Sequence, residues 1–253
     1  DLIQYTLAID RADDAVAQPD LAWHLTLAQA GWTLLGGDLD GAAATARAAL
    51  RAGHRAAEPE AVSFYGALDL EIRRLRGDLA EVIEPMVDVL DEVPFDPAYG
   101  LLRHLAAGGR PDLVADDLTA AVAELPTLGR GVHTLAALAN LSDLAHRLGD
   151  RAAAEALQPH LAPFADHFPQ AIVVQPVAHH YLGLLAVDLD RREEAAAHFD
   201  EAVERARRFG APLHAAETLL AWGRLLDRPE AEAEGRRLAE AGGALGLLAD
   251  GCA

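Results

Sequence analysis

Tyr181-Leu182-Gly183-Leu184-Leu185 and, beyond a polar break at Asp190-Arg191-Arg192, the series Glu194-Ala195, Phe199 and Ala202 spell out one helical hairpin. Apolar residues recur at helical spacing on both sides of the break. A small residue on the first helix faces small and aromatic residues on the second, and the reason is steric. Gly183 and Ala195 let two backbones approach, Phe199 fills the groove between them, and Ala202 admits the next hairpin. A large side chain at Gly183 is therefore expected to push the two helices apart.

The same punctuation recurs on both sides. It reads Gly36-Gly37-Asp38-Leu39, Gly77-Asp78-Leu79, Gly108-Gly109-Arg110-Pro111 and Gly149-Asp150-Arg151, then returns in weaker form at Asp190-Arg191-Arg192 and Asp227-Arg228-Pro229. Glycine suits the left-handed residue that ends a helix, and Asp or Pro suits the start of the next. The marks lie 32 to 41 residues apart, a period that belongs to stacked helical repeats. Leu21, Leu25, Ala28 and Trp32 share one helix face before the first mark; Leu135, Leu138, Leu141, Leu144 and Leu148 form a stripe before the fourth. Breaks at Glu58-Pro59, Val93-Pro94 with Asp96-Pro97, Leu125-Pro126, Phe168-Pro169 and Ala211-Pro212 separate one hairpin from the next. The spacing predicts a single repeat domain over 1–253, with hairpins at about 20–57, 59–93, 97–126, 130–168, 176–210 and 212–248 and a short leading helix near 2–17. The stretch 169–176 could pass for a strand but, bounded by prolines, reads as an extended linker or helix entry.

Composition agrees with helices. Alanine dominates the 51% hydrophobic content and aromatics make up only 5%, so thin two-helix layers suit the chain better than a wide core. The net charge is −19, and all 21 basic residues are arginine. A chain this acidic is repelled by a phosphate backbone, which excludes direct nucleic-acid binding from the expected functions. No apolar run approaches the length of a membrane span, and Cys252 is the sole cysteine. A reducing, cytoplasmic setting fits that usage. The opening Asp1-Leu2-Ile3-Gln4 reads as the start of a piece cut from something larger.

With Leu182 as the seventh position, Gly183, Ala195, Phe199 and Ala202 fall at positions eight, 20, 24 and 27 of the tetratricopeptide (TPR) pattern, which this hairpin resembles. The resemblance implies an all-α fold, a right-handed superhelix of TPR-like helix-turn-helix repeats, or α-solenoid. Carried to the other marks, the alignment puts Ala42, Val82, Val114 and Ala154 at the position of Ala195, and Ala46, Met86, Leu118 and Gln158 at that of Phe199. Degenerate alanine-rich repeats of this kind also resemble the C-terminal arrays of large bacterial ATP-binding transcriptional regulators of the LuxR/MalT-like and antibiotic regulatory protein types. That likeness implies a non-catalytic sensor or scaffold that holds a protein, peptide or small effector, attached to an ATPase and an output domain outside this sequence. A P-loop is impossible without lysine.

The resemblance also sets which residues face inward, because the first helix of each TPR-like hairpin lines the concave face. The inward positions are His24, Glu71, Arg74, Arg103, Asp143, His146, Arg147 and His180, a mixed-charge lining able to clamp a peptide or a polar small molecule; the bland alternative is a set of hydrated helix-surface positions. On this reading the arginines serve binding and are dispensable for folding. Catalysis lacks a constellation: the two serines, Ser63 and Ser142, lie outside any nucleophile turn, and no lysine exists for a Schiff base. No cofactor is expected. No metal site is expected either, since His179 and His180 are adjacent on a helix and point about 100° apart. Asn140, the only asparagine, is too little for the backbone-holding ladder of a peptide-binding array. Beside the sensor stand a purely architectural helical spacer and, third, an unrecognised α-helical enzyme.

Overall fold

The computed structural model describes residues 19–83, 87, 102–127 and 133–249, and across them the protein is all-α. The leading helix expected near 2–17, the breaks at 93–97 and the position of Met86 lie outside the described residues. Helices α1 (Pro19–Leu35) and α2 (Leu39–Ala56) form the first hairpin. Next come α3 (Ala61–Arg76), which leads into a 3-10 turn at Leu79–Val82, and α4 over 102–107. After these follow α5 (Ala115–Glu124), α6 (Thr134–Leu148), α7 (Arg151–Leu161), α8 (Ala178–Asp188) and α9 (Arg192–Phe209). The last hairpin is α10 (Pro212–Leu225) and α11 (Pro229–Ala241), followed by the single turn α12 (Gly246–Ala249). The stretch 169–176 holds one isolated bridge, Gln170 to Val174, and no named strand.

The turns work as their residues dictate. Gly37, Gly77, Gly109 and Gly149 all sit at positive φ, where a side chain would be strained. Asp38 and Asp150 then cap the following helices, their carboxylates accepting from the Gly41 and Ala153 amides at 2.8 and 3.0 Å. In the two weaker marks Asp190 and Asp227 take the left-handed conformation themselves, at φ 60° and 57°. Turns are tied to turns: Arg151 donates to Asp190 and to the carbonyls of Asp188 and Leu189, and Arg192 donates to Asp227. Arg76 makes the same kind of link to Asp40.

The packing of the α8–α9 hairpin rests on one close approach. A β-carbon placed on Gly183 would stand 2.5 Å from the Phe199 ring, and Ala195, Phe199 and Ala202 are all buried. Between α10 and α11 the chain uses glycine twice: Gly223 abuts the Glu232 backbone and Gly235 lies against Leu220.

The two ends of the array meet. Leu213, Ala216 and Leu220 of α10 and Leu247 of α12 share one apolar core with Ala30 and Leu34 of α1, Ala42 of α2, and Leu68 and Ile72 of α3. A second core runs through the middle, from Leu79 by way of Leu138, Leu157 and Phe199 to Leu226. First and last hairpins therefore close on each other, and the inward helices face one another across the centre. An open-ended array would leave that face to water; here it is interior. Gly183→Leu must displace the Phe199 ring from a fully packed site, which costs on the order of 1–3 kcal/mol. Chemical denaturation should show a lower midpoint at an unchanged slope, and a variant as stable as the parent would refute this packing.

Candidate functional site

One helix after another delivers a charge to the centre. α3 supplies Glu71 and Arg74, α4 supplies Arg103 and His104, α6 supplies Asp143 and Arg147, α8 supplies His180, and α10 supplies Glu217 and Thr218. Arg74, fully enclosed, is the hub. Its Nε and Nη2 donate to Glu71 at 2.7–3.2 Å, while Nη1 and Nη2 grip the two oxygens of Glu217 at 3.0 Å each. Such a two-pronged grip is the geometry a guanidinium favours. Arg103, 1% exposed, lies between three carboxylates: Asp143 at 3.3 Å, Glu217 at 3.5 Å and Glu71 at 3.6 Å. Arg147 completes the set with a 2.8 Å bond to Asp143. Three guanidinium groups thus balance three carboxylates.

Histidines line the edge of this network. His104 Nε2 donates to Glu71 at 3.2 Å. Thr218 gives its hydroxyl proton to the His214 carbonyl, so its oxygen must accept from His180 Nδ1, 3.0 Å away. His180 is therefore the Nδ1–H tautomer. Burial lowers the His180 and His214 imidazoles to about 4, against the opposing pull of Glu217. Both are neutral at pH 7. Burial alone would raise the carboxyls of Glu71, Asp143 and Glu217. The arginines outweigh it: Arg74 and Arg103 hold Glu71 well below the usual range and Glu217 below it, and Arg147 with Arg103 does the same for Asp143.

Of the eight inward positions read from the sequence, five (Glu71, Arg74, Arg103, Asp143 and Arg147) belong to the ion network, and His180 adjoins it. His146 sits to one side, its Nδ1 2.8 Å from Asp188. His24 is apart from all of these, exposed on α1 beside Trp23. The expectation of dispensable arginines does not survive: Arg74 and Arg103 are enclosed among their counter-charges, not spread along a wet groove. Glu217, His214, Thr218 and His104 escaped the sequence reading. Glu217 carried a legible signal, since it continues the equal spacing from Asp143 to His180. Ser142 is buried and its hydroxyl donates to the Leu138 carbonyl, while Asn140 accepts from Gln175 and so anchors the 169–176 connection.

A cavity of about 40 Å³ opens beside the network, walled by Arg147, His180 and Glu217 on one side and by Leu184, Leu220 and Leu247 on the other. It has room for one or two waters. Ligand pockets run to roughly 300–1,000 Å³, so no drug-sized effector fits this cavity in the closed arrangement. No described helix is long and apolar enough to cross a membrane. No family model matches the chain, nor does any curated protein or solved structure match it.

Removing one partner from a buried ion network strands the others. Glu217→Ala and Arg103→Ala should each cost about 3–5 kcal/mol in denaturant unfolding; midpoints equal to the parent's would refute the network. Acid should weaken the fold in a defined order. The unfolded chain takes up protons on its imidazoles near pH 6.5, whereas folded His180 and His214 resist until about 4. Stability therefore falls as pH drops from about 6.5 to 4, by on the order of 3 kcal/mol for each histidine. The lowered carboxyls extend the loss below pH 4, because their contribution is present above the unfolded values and vanishes as they protonate. Urea midpoints at pH 7.5 and 4.5 measure this, and equal midpoints would contradict it.

Proposed function

We propose that the chain is a non-catalytic sensor or scaffold domain of a multidomain bacterial regulator, a right-handed TPR-like array curled until its inward face latches on itself. The TPR-like spacing around Gly183 supports the repeat reading, and the likeness to regulator arrays supports the setting, a reducing cytoplasm beside an ATPase and an output domain. The observation that carries the proposal is the ion network that ties the last hairpin to the second and third. Six charges, four of them buried and two half-buried, are a costly way to hold helices together, and apolar side chains of the same volume would stabilise as well or better. Such networks earn retention where two arrangements must be told apart. Arg74 and Arg103 hold Glu217 as they would hold the carboxylate or phosphate of a partner, so an anionic group on a protein, peptide or small effector competes for the same forks and opens the ring.

The architectural spacer remains the second reading, favoured by the small inner cavity. Opening distinguishes the two. Val62 and Leu245 are exposed, on α3 and just before α12, and accept labels after substitution by cysteine in a Cys252→Ser background. On the sensor reading, Glu217→Gln lengthens the distance between the labels while helicity is retained. A ring that opens only on global unfolding would leave the spacer.

A further inference from the structure

Away from the inner network, α8 and α9 bring two imidazoles face to face. His179 Nδ1 and His198 Nδ1 stand 2.8 Å apart. Each ring has a carboxylate on its far side: Asp166 lies 3.2 Å from His179 Nε2, and Glu194 lies 4.0 Å from His198 Nε2. Asp166 is itself held by Arg205 at 2.8 Å. Both rings are mostly covered yet reachable, with side chains 14% and 21% exposed. We propose that His179 and His198 bind one divalent transition-metal ion, Cu(II) or Ni(II), with Asp166 and Glu194 orienting the two rings.

The pairing of each imidazole with a carboxylate on its distal nitrogen is what metal-bound histidines use to fix their tautomer and raise their basicity. Asp166 accepts from His179 Nε2–H, which leaves the His179 Nδ1 lone pair facing its neighbour. His198 therefore donates from Nδ1 when no metal is bound. Metal binding moves that proton to Nε2, on the side of Glu194, and none is lost to solvent. Both Nδ1 lone pairs then turn from each other toward the ion. The spacing selects the metal: two adjacent ligands at about 2.0 Å and 90° stand about 2.8 Å apart, whereas a tetrahedral ion spreads them to about 3.3 Å. Square-planar or octahedral ions fit without moving the helices. Among the described residues no three His, Cys, Asp or Glu side chains group to hold an ion, so the two imidazoles are the protein ligands and water completes the shell. His179 and His198 belong to the two helices of one hairpin, so the ion would staple α8 to α9.

The test uses the whole chain without a histidine tag, titrated with Cu(II), Ni(II) and Zn(II) as the free ions. One equivalent of Cu(II) or Ni(II) should bind more tightly than Zn(II) and raise the melting temperature. Cu(II) spectra should show two imidazole nitrogens. His198→Ala should weaken binding at least tenfold and abolish the thermal shift, with circular dichroism verifying the fold. Asp166→Asn should weaken it by about tenfold while leaving the two-nitrogen spectrum intact. His133→Ala and His160→Ala should change nothing. Equal binding by the parent and His198→Ala, a one-nitrogen spectrum, or no binding at all would overturn the site.

Discussion

Glu217 is gripped by Arg74 and approached by Arg103, so a single carboxylate on the last hairpin is bound to arginines of the second and third hairpins. A charge removed from water must find its counter-charge at contact distance, since nothing else in the interior screens it. That requirement fixes more than one pair. Arg103 also needs Asp143 and Glu71, and Asp143 needs Arg147. Each inner helix is thereby held in rotation about its axis and in height along the array. Apolar contacts between alanine-rich helices tolerate sliding by comparison, so the ion network decides how the inner helices sit against one another.

Close helix packing also demands small residues at the contacts. Gly183 lets Phe199 lie directly against α8, and Gly235 does the same for Leu220 on α10. α10 and α12 meet α1 and α3 in one apolar core. The apolar core and the ion network are then two faces of one closure. Leu213 and Ala216 seal its apolar side, while Glu217, one position farther along α10, seals its charged side.

The helices and their turns are legible in the sequence because they depend on local periodicity and turn chemistry, while the inward direction of Glu71, Arg103, Asp143 and His180 is what the TPR resemblance implies. Closure is not legible. It rests on contacts between residues far apart in the chain, such as Arg74 with Glu217, which no local pattern carries. Whether an inward arginine meets water or a carboxylate from the opposite end depends on those contacts: five of the eight inward residues join the ion network and His180 adjoins it, whereas His146 and His24 lie elsewhere. His198 goes unseen for another reason. It lies on the second helix of its hairpin, outside a list built from first helices, and its partner His179 draws attention instead to its sequence neighbour His180. Helical spacing sends His180 to the ion network and His179 to the outer edge.

The balance of the inner network also locates the protein's net charge. Three arginines offset three carboxylates inside, so the entire −19 resides on the rest of the chain. Exposed carboxylates govern long-range attraction, and salt screens them within about 10 Å. Buried charges feel little of that screening. A partner meeting the outer surface is therefore steered by a strongly acidic field and sensitive to salt. A ligand acting at Glu217 must instead replace a specific contact in a region without net charge. The outer surface is thus strongly acidic, while the inner network is electrically balanced and held by contact geometry.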